Sequence, residues 1–585
     1  MIQLLSLATL EPNPPQWPAS VRVFSPTDTD IQATVDTAFA ENGGHAPPNH
    51  GQFSSSRYAF LFRPGSYAVD VPVGFYTTVH GLGASPDDVV FSGAKGVYCE
   101  EGNYSATTGA LDNFWRGAEN FRSAANNKWT TGTGMLWAAS QASPLRRVHV
   151  EQSLVLYEYE PPYGQAGYAS GGFLADAVID AGFIAGSQQQ WLSRNVHSGG
   201  SSPVELSVWN SVFVGCTGAV PLAHCGEAGK THSSVVVPTT PVSAEKPYIT
   251  VAGGSAGGQG FSLVVPPRRN GSSGASWLQL AGTADPPART VDFSNVYVAR
   301  ANVDSAASIN AKLASAHVQA VVLTPGIYQL DAPLKLVQKG TVLLGIGLAT
   351  LVPTAATPAI SVLAPAARVA GVLLQAGAQN SPSLLRVEKT ASGAILQDVF
   401  ARVGVPDTTE VMAETMVHIL ADGVIGDNLW LWRADHTVGG IVTAKANPCT
   451  NGLVVDGDDV TMYGLAVEHT LADLTLWNGN GGQTYFYQSE LPYDVQQADF
   501  GAPGYAGYRV APHVTAHAGY GVGVYHYFRD FPVTVASGIS APDSATFVAP
   551  LSVYLNGKGR VEHVVNGKGN ATYAQGAHQV YVCAR

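Results

Sequence analysis

Val460-Thr-Met-Tyr-Gly-Leu-Ala-Val-Glu-His469 is followed, after one short loop, by Gln483-Thr-Tyr-Phe-Tyr-Gln-Ser-Glu-Leu-Pro-Tyr493. β-Branched and aromatic residues dominate both stretches, and the Asn478-Gly-Asn-Gly-Gly482 between them is a turn sequence, so each stretch is predicted to be a strand. Glu468 and Glu490 lie near the ends of these strands, 22 residues apart. If that interval is one turn of a parallel β-helix, the two glutamates are one strand spacing, roughly 5 Å, apart.

Two carboxyl groups at that separation cannot both ionise easily, so one pKa is expected to rise. A carboxyl group that stays protonated near neutrality is what a glycosidase needs to protonate a leaving oxygen. The alternative is that both glutamates are solvated residues at strand ends.

The composition bounds the fold class and the partners. A chain of 585 residues is too long for one core, and two large domains are expected. Only 13% of the residues are charged, while Gly numbers 64 and Pro 36, which indicates many short strands joined by tight turns. The net charge of −12 and the lack of a basic stripe argue against nucleic acid and anionic membranes as partners. A neutral partner is favoured.

The cysteines and the N-terminus bear on cofactors and location. The five cysteines show no Cys/His spacing, so no metal and no cofactor is expected, and their odd number leaves at least one thiol free or intermolecular. Residues 1–10 are apolar but lack a basic region, so they are either the remnant of a secretion signal or a first strand. No run approaches 18 apolar residues. We expect a secreted or extracytoplasmic monomer that does not enter membranes.

A duplication divides the chain. Residues 30–39 have helical periodicity and precede a strand ending in Pro64-Gly-Ser-Tyr67 and another ending in Gly81-Leu-Gly83. The same order returns in a helix at 308–313, a strand followed by Pro325-Gly-Ile-Tyr328 and a strand ending in Gly345-Ile-Gly347. This recurrence predicts two homologous domains.

The rest of each half consists of short apolar runs interrupted by Gly, Asn and Asp, a pattern that favours a right-handed parallel β-helix over a sandwich. The fold class is therefore all-β, with two tandem parallel β-helices side by side. The expected divisions are 1–289, 290–545 with the glutamates, and a β-rich closure at 546–585. The Gly- and Pro-rich seam at 255–287 is expected to be a packed crossing.

Four motifs resemble the family-55 glycoside hydrolases, which are inverting, exo-acting β-1,3-glucanases (laminarinases) built from two pectate-lyase-like β-helices. They are Asn428-Leu-Trp-Leu-Trp-Arg-Ala-Asp-His436, Gly464-Leu-Ala-Val-Glu-His469, Gln488-Ser-Glu-Leu-Pro-Tyr493, and Ser170-Gly-Gly-Phe-Leu-Ala-Asp176 followed by Gly186-Ser-Gln-Gln-Gln190. Some bacterial relatives are labelled adenylyl cyclases, but no phosphate loop or metal-binding carboxylate pattern here supports that chemistry.

The resemblance implies residue roles. Glu490 matches the catalytic acid and Glu468 the second glutamate of the pocket, while Gln189, or alternatively Gln188, matches the glutamine that helps to hold the attacking water. Inversion needs roughly 6.5 to 9.5 Å between acid and base. The stacked glutamates are therefore not the acid and base, and Glu468 is expected to tune or orient Glu490.

We also expect the pKa of Glu490 to be raised by Glu468 and by Tyr485, Tyr487 and Tyr493. Two runs depart from the family pattern beside the presumed −1 pocket: Thr470-Leu-Ala-Asp-Leu-Thr-Leu-Trp477, and Asp494-Val-Gln496 where the family has an aromatic residue and a glutamine.

The remaining candidates are substrate-binding residues, each with a structural alternative. Asp435 and His436 could bind a sugar hydroxyl or cap a strand. Trp477 and Tyr493 neighbour the glutamates and could stack on a sugar, although core packing is the alternative. The same choice applies to Trp432, which shares a face with Trp430, and to Trp115, which could reach the groove between the domains.

The sequence leaves three functions open. The first is a glycoside hydrolase acting on a β-glucan-like polysaccharide or oligosaccharide. The second is a non-catalytic carbohydrate-binding or adhesin β-helix, in which the glutamates are ordinary surface groups. The third and weakest is a polysaccharide lyase, which would need a basic residue and often Ca²⁺ to neutralise a uronate, and no Asp-rich calcium run lies near the glutamates.

Overall fold

The computed structural model describes residues 10–43, 51–100, 110–160, 165–200, 206–226, 232–251, 259–278, 287–405 and 409–583. Residues 1–9, on which the secretion-signal alternative depends, lie outside this set. Within the described residues the chain forms two tandem right-handed parallel β-helices side by side, as the sequence predicts. No helix among these residues has the length and apolarity needed to cross a membrane.

The first β-helix has one long sheet whose successive strands pair in parallel, one turn after another. The predicted helix is present as Ile31–Asn42 and follows the first strand of this sheet. The strands along the main path of this sheet are Val21–Phe24, Tyr58–Phe62, Thr77–Gly81, Arg116–Ser123, Leu145–Val150, Gly172–Ala175, Gln190–Arg194, Asn210–Val214 and Ser233–Val237.

The second β-helix repeats this plan, with the helix Ala306–Leu313 after its first strand, which confirms the duplicated order of helix and strands. Its main sheet contains Val296–Ala299, Ala320–Leu323, Val342–Pro353, Arg368–Gln375, Ile395–Val403, Ile425–Arg433, Thr461–Glu468, Gly482–Glu490, His517–His526, Leu551–Tyr554 and Gln579–Tyr581. A second parallel sheet closes each turn with Leu334–Leu336, Ile360–Val362, Leu385–Val387, Ala413–Ile419, Cys449–Val455, Thr475–Trp477, Tyr508–Val510 and Ile539–Ser540.

A bend recurs at the same place in successive strands of the second main sheet. Each bend is one residue in the left-handed region, and the bends align in register at Gly371, Asp398, Asn428, Gly464, Phe486 and Gly521. Because the bend residue interrupts the alternation of side chains, Tyr485 points outward towards the first β-helix, whereas Tyr487 points into the core.

The outward faces of the two main sheets pack against each other. Ala59 and Leu61 of the first helix share an apolar cluster with Val322 and Leu344 of the second. The described part of the seam, 259–278, contributes to the same cluster through its strand Phe261–Val265, so it is packed as expected.

A buried ion network adds to this contact. Arg146 binds Asp398 and Asp427, and Arg194 binds Asp427 and Glu245. Among these groups the arginines and Glu245 belong to the first half and the aspartates to the second. Burial of these charges is sustained by their mutual pairing, which fixes the register of one β-helix against the other.

The C-terminal segment returns to the first half. The strand Gln579–Tyr581 pairs antiparallel with Leu551–Tyr554 of the second main sheet, and Cys583 forms a disulfide with Cys225. Cys99, Cys216 and Cys449 are free. The boundaries at 289/290 and 545/546 stay predictions. Of the strands beyond 545, Leu551–Tyr554 and Gln579–Tyr581 join the second main sheet, whereas Arg560–Val561 pairs with Thr534–Val535 in a separate two-stranded sheet.

Candidate active site

A cavity of about 730 Å³ opens between the two halves, where strands of the second main sheet end. The predicted site residues that line it are Gln189, Trp432, Asp435, His436, Glu468, Glu490 and Tyr493. Further lining residues are Leu111, Asp112, Phe114, Gln141, Tyr168, Ser170, Ser187, Val208, Trp209, Trp430, His469, Tyr527, Tyr554, Leu555, Asn556 and His578.

Glu468 and Glu490 are direct partners in the parallel pairing of Thr461–Glu468 with Gly482–Glu490, as the 22-residue interval predicts. Both carboxyl groups point into the cavity between the two halves. Burial and the neighbouring Glu490 raise the pKa of Glu468 well above its usual range. Burial raises the pKa of Glu490 to about 7, with a further contribution from the Asp435 carboxylate.

Glu468 is held from both halves. Gln141 of the first half donates from Nε2 to Oε1 of Glu468 at 2.9 Å, and Trp430 donates from Nε1 to Oε2 at 2.9 Å. Ser170 in turn donates to Oε1 of Gln141 at 2.6 Å, which fixes the orientation of the amide. The sequence pointed to Ser170 only through its motif, and it gave no signal for Gln141, which lies in none of the quoted motifs.

The carboxyl group of Glu490 has a single hydrogen-bond partner among the described residues. The Tyr493 hydroxyl donates to its Oε2, which opposes the rise in the pKa of Glu490. The Tyr493 ring lies 4.2 Å from the ring of His469. Tyr485 and Tyr487 do not line the cavity, and the Tyr493 hydroxyl lowers this pKa. The expectation that the three tyrosines raise the pKa of Glu490 is therefore wrong. The bend at Phe486 turns Tyr485 to the other side of the strand, and Tyr487 is core.

Asp435 and His436 follow the end of Ile425–Arg433 and form an ion pair at 3.0 Å through His436 Nδ1. His436 Nε2 contacts Nε2 of Gln52, from the first half, at 2.7 Å. Burial opposes charge on both groups, but their contact outweighs it, so the pKa of Asp435 is lowered and the pKa of His436 is raised. Asp435 therefore stays a carboxylate beside the glutamate pair.

Gln188 and Gln189 differ in position, although they are neighbours in the sequence. Gln189 lines the cavity, whereas Gln188 is buried and donates from Nε2 to the carbonyl groups of Ala139 and Leu156. Its Oε1 accepts from the backbone of Gly171. With its amide committed to the backbone, Gln188 is a structural residue, and the substrate-binding role predicted for it is not supported by its position.

Two predicted aromatic contacts are core residues instead. Trp477 is fully buried in the interior of the second β-helix, 4.9 Å from the ring of His517, because alternation along Thr475–Trp477 turns it inward. The run 470–477 thus leads into the closing sheet and away from the cavity. Trp115 is also fully buried and stacks on Trp430 at 4.4 Å, so it supports the cavity wall from behind.

The sequence did not predict the far wall of the cavity. Tyr168, Val208 and Trp209 come from the first half, and Tyr168 is 61% exposed. Other wall residues come from the C-terminal segment, among them Tyr554 and His578. Only the folded topology brings these distant segments together.

The charge of the cavity is one-sided. Four carboxyl groups line it, those of Asp112, Asp435, Glu468 and Glu490, and no lysine or arginine is among the described lining residues. Within the described residues no cluster of three or more His, Cys, Asp or Glu side chains is arranged to hold a metal ion.

Comparisons with known proteins bear on this site. The family model for the LAM55 pectate lyase-like domain matches residues 296–490. The chain is 37% identical over 572 residues to an exo-beta-1,3-glucanase of Streptomyces sp. (strain SirexAA-E / ActE), which covers 94% of this chain and 87% of the relative.

Solved structures give the same match. The structure of sacteLam55A from Streptomyces sp. SirexAA-E is similar with a TM-score of 0.85 at 34% identity, covering 98% of this chain and 99% of that one. A variant of sacteLam55A in complex with glucose gives the same TM-score and identity, with 98% of each chain covered.

Proposed function

The chain belongs to the family-55 glycoside hydrolases, and from that premise we propose that it hydrolyses β-1,3-glucan from a chain end with inversion, using Glu490 as the general acid. The observation that carries the proposal is the in-register pair of Glu468 and Glu490 in the cavity between the halves. Burial raises the pKa of Glu490 to about 7, so the carboxyl group can hold a proton near neutrality.

The electrostatics of the cavity favour a neutral glycan. A wall with several carboxyl groups and no described lysine or arginine repels uronates and sulfated sugars. A lyase would need a cationic group or metal beside the uronate carboxylate. The lyase alternative is therefore disfavoured by the same charges that suit a β-glucan.

In the proposed reaction a water molecule attacks the anomeric carbon while the bond from that carbon to the glycosidic oxygen breaks. Glu490 gives its proton to the departing oxygen, which would otherwise leave as a strongly basic alkoxide. Inversion places the water on the opposite face of the sugar. The amide groups of Gln189 and Gln141, on the wall formed by the first half, are suited to hold it.

The other lining residues position the sugar. Asp435 and His436 offer charged and polar groups to its hydroxyls, and Trp432 and Tyr493 offer aromatic faces beside the glutamates. Glu468 does not act as the partner base in this scheme, because stacked strands place it beside Glu490 on the same wall. It tunes the pKa of Glu490 instead.

The decisive experiment replaces Glu490 by Gln, which keeps the shape and removes the proton. Turnover of laminarin, an unactivated polymer, is expected to fall by about 10² to 10⁴. A substrate with an acidic phenol leaving group is expected to lose much less, because its departure needs little protonation. Glu410→Gln, an exposed glutamate away from the cavity, is the matched control and should retain full activity.

Two outcomes would contradict parts of the proposal. Near wild-type turnover of laminarin by Glu490→Gln would remove the assigned acid and leave carbohydrate binding as the better reading. NMR of the first product formed would test inversion separately, because an inverting enzyme releases the α-anomer from a β-linked glucan.

We also propose that the protein acts outside the cytoplasm as a monomer. The disulfide between Cys225 and Cys583 favours an oxidising compartment, and polymeric glucan is met outside the cell. Size-exclusion chromatography with light scattering would test the monomer.

A further inference from the structure

Arg433 ends the strand Ile425–Arg433 behind the cavity and is almost fully buried. All five of its N–H groups are used. Nε donates to the carbonyl of Asn447 at 3.1 Å, and Nη1 donates to the carbonyl of His469 at 3.1 Å and to Oδ1 of Asp494 at 3.0 Å. Nη2 donates to the carbonyl of Ala446 at 2.8 Å and to Oδ2 of Asp494 at 2.9 Å. The guanidinium thus joins three separate segments of chain.

Asp494 is held as firmly as its partner. Besides both Nη groups of Arg433 it accepts the backbone N–H of Lys445 at 2.8 Å. Burial opposes its charge, but the hydrogen bonds and charge of Arg433 lower the pKa of Asp494. Asp494 therefore stays a carboxylate that accepts from both Nη groups through the neutral pH range.

The backbone around Arg433 is strained. Ala444, Lys445, Asn447 and His469 are non-glycine residues with φ of 55°, 61°, 53° and 64°. Such conformations cost of order 1 kcal/mol each and persist where the surroundings enforce them. Three of these four residues, Lys445, Asn447 and His469, supply a backbone group that Arg433 or Asp494 binds, so the clamp formed by Arg433 and Asp494 sustains the strain.

The clamp binds chain segments on both sides of the proposed acid. His469 donates its backbone N–H to the carbonyl of Glu490 at 2.8 Å, and Asp494 directly follows Tyr493, whose hydroxyl donates to the Glu490 carboxylate. Arg433 therefore fixes the chain on both sides of the group that carries the proton. We infer that Arg433 and Asp494 form a positioning pair that holds Tyr493 against Glu490 and sets the orientation of its carboxyl group.

This inference rests on the proposed role of Glu490, and it concerns a feature of this particular chain. Asp494 opens the run 494–496, where the sequence departs from the family pattern. Without a carboxylate at this position, two Nη hydrogen bonds of Arg433 would have no acceptor, and the turn after Glu490 would lose its anchor.

Several ionisable groups face Glu490, and they decide the sign of the expected effect. Glu468 stands on the neighbouring strand, Asp435 follows the end of Ile425–Arg433, and Tyr525 pairs with Glu490 from the other neighbouring strand. Burial lowers the pKa of His469 to about 4, so this ring is neutral. Asp112 lies further along the cavity wall. Among the described groups only Tyr493 donates to the carboxyl group of Glu490, so releasing Tyr493 raises the pKa of Glu490.

The test is Asp494→Asn, followed through the pH dependence of kcat/KM on laminarin. We expect kcat to fall by about 10- to 100-fold from misorientation, and the alkaline limb to move to higher pH. Tyr493→Phe, which keeps the clamp and removes only the hydroxyl, should move the limb in the same direction. The double variant should move it no further than either single change, because both act through one hydrogen bond.

Asp473→Asn is the matched control. Asp473 accepts from Nε of Arg509 at 2.7 Å and from the backbone N–H of Ala506 at 2.8 Å, as Asp494 accepts from Arg433 and Lys445, but it does not line the cavity. It should lower the melting temperature and leave the alkaline limb in place. An Asp494→Asn profile that matches this control would overturn the inference.

If Asp494→Asn does not fold, Tyr493→Phe alone tests the inference. An unchanged alkaline limb in that variant would mean that the Tyr493 hydroxyl does not affect the pKa of Glu490. Failure of the proposed function looks different. In that case Glu490→Gln itself stays active, whereas failure of the positioning pair leaves Glu490→Gln inactive and the two other variants with the wild-type pH profile.

Discussion

At the residue scale, burial raises the pKa of both Glu468 and Glu490, and their hydrogen bonds distinguish the two groups. Both oxygens of Glu468 accept N–H groups, from Gln141 and Trp430, so neither oxygen is free to face a substrate. Glu490 accepts one hydroxyl on Oε2, and its Oε1 has no hydrogen-bond partner among the described residues. Glu490 therefore has the free oxygen that can carry the proton towards a substrate.

The raised pKa of Glu490 predicts a cost in stability. Because its pKa is about 7 rather than the usual 4.5, the folded protein binds more protons than the unfolded chain between these pH values. The free energy of unfolding then falls as pH rises, by up to about 3 kcal/mol by pH 7. Glu490→Gln removes this loss, so its melting temperature should exceed that of the wild type at pH 8 and nearly equal it at pH 4.5. The same difference at both pH values would contradict the raised pKa.

Glu468→Gln tests whether Glu468 influences the pKa of Glu490. Glu468 and Glu490 are in-register neighbours and each carboxyl group disfavours ionisation of the other, so an amide that cannot ionise removes this effect on Glu490. The pKa of Glu490 should fall, and the alkaline limb of kcat/KM should move to lower pH. The opposite direction, or no movement, would mean that Glu468 does not influence the pKa of Glu490.

At the scale of the strand, the left-handed bends explain what the sequence could and could not predict. Gly, Asn and Asp at regular places in apolar runs indicated short strands with interruptions, and most of the bends fall on those residue types. Phe486 carries a bend without any such signal. The sequence therefore gave no warning of this bend, and the expectation that Tyr485 surrounds Glu490 is wrong.

The bend at Gly464 supplies a prediction about packing. Its φ is 66°, and a Cβ placed there would lie 2.7 Å from the ring of Phe173 in the other half. Gly464→Ala should therefore destabilise by about 1 kcal/mol for the backbone and about 1 to 3 kcal/mol more for the clash. Gly423→Ala is the matched control, because φ is 64° and no atom lies within 4 Å of the added carbon. An equal fall in the free energy of unfolding for the two variants, measured by thermal unfolding, would show that the contact with Phe173 adds no destabilisation.

At the scale of the whole molecule, the sequence could predict the fold but only half of the site. The duplication and the 22-residue interval are visible as local patterns, so the two β-helices and the stacked glutamates could be predicted from the sequence. Gln141 reaches Glu468 across a separation of 327 residues, and the wall containing Tyr554 and His578 comes from the C-terminus. Such contacts depend on how the two β-helices dock, and no periodicity in the sequence encodes that.

The ion network controls this docking. Arg146 and Arg194 both bind Asp427 of the second half. Each arginine stands five residues after a glutamine of the cavity, Gln141 and Gln189 respectively. The network therefore anchors both stretches that present the amide groups to the proposed water site, so its loss should affect activity as well as stability.

Asp427→Asn tests this connection. It leaves two buried guanidinium groups short of one carboxylate, and the free energy of unfolding should fall by about 3 to 5 kcal/mol. Well below the melting temperature, kcat on laminarin should also fall while KM changes little, because the amide groups act on the water rather than on sugar binding. Asp176→Asn, which breaks the buried pair with Arg147 inside the first half, is the control. It should lower stability and spare kcat, and an equal kcat for both variants would mean that docking does not govern the catalytic geometry.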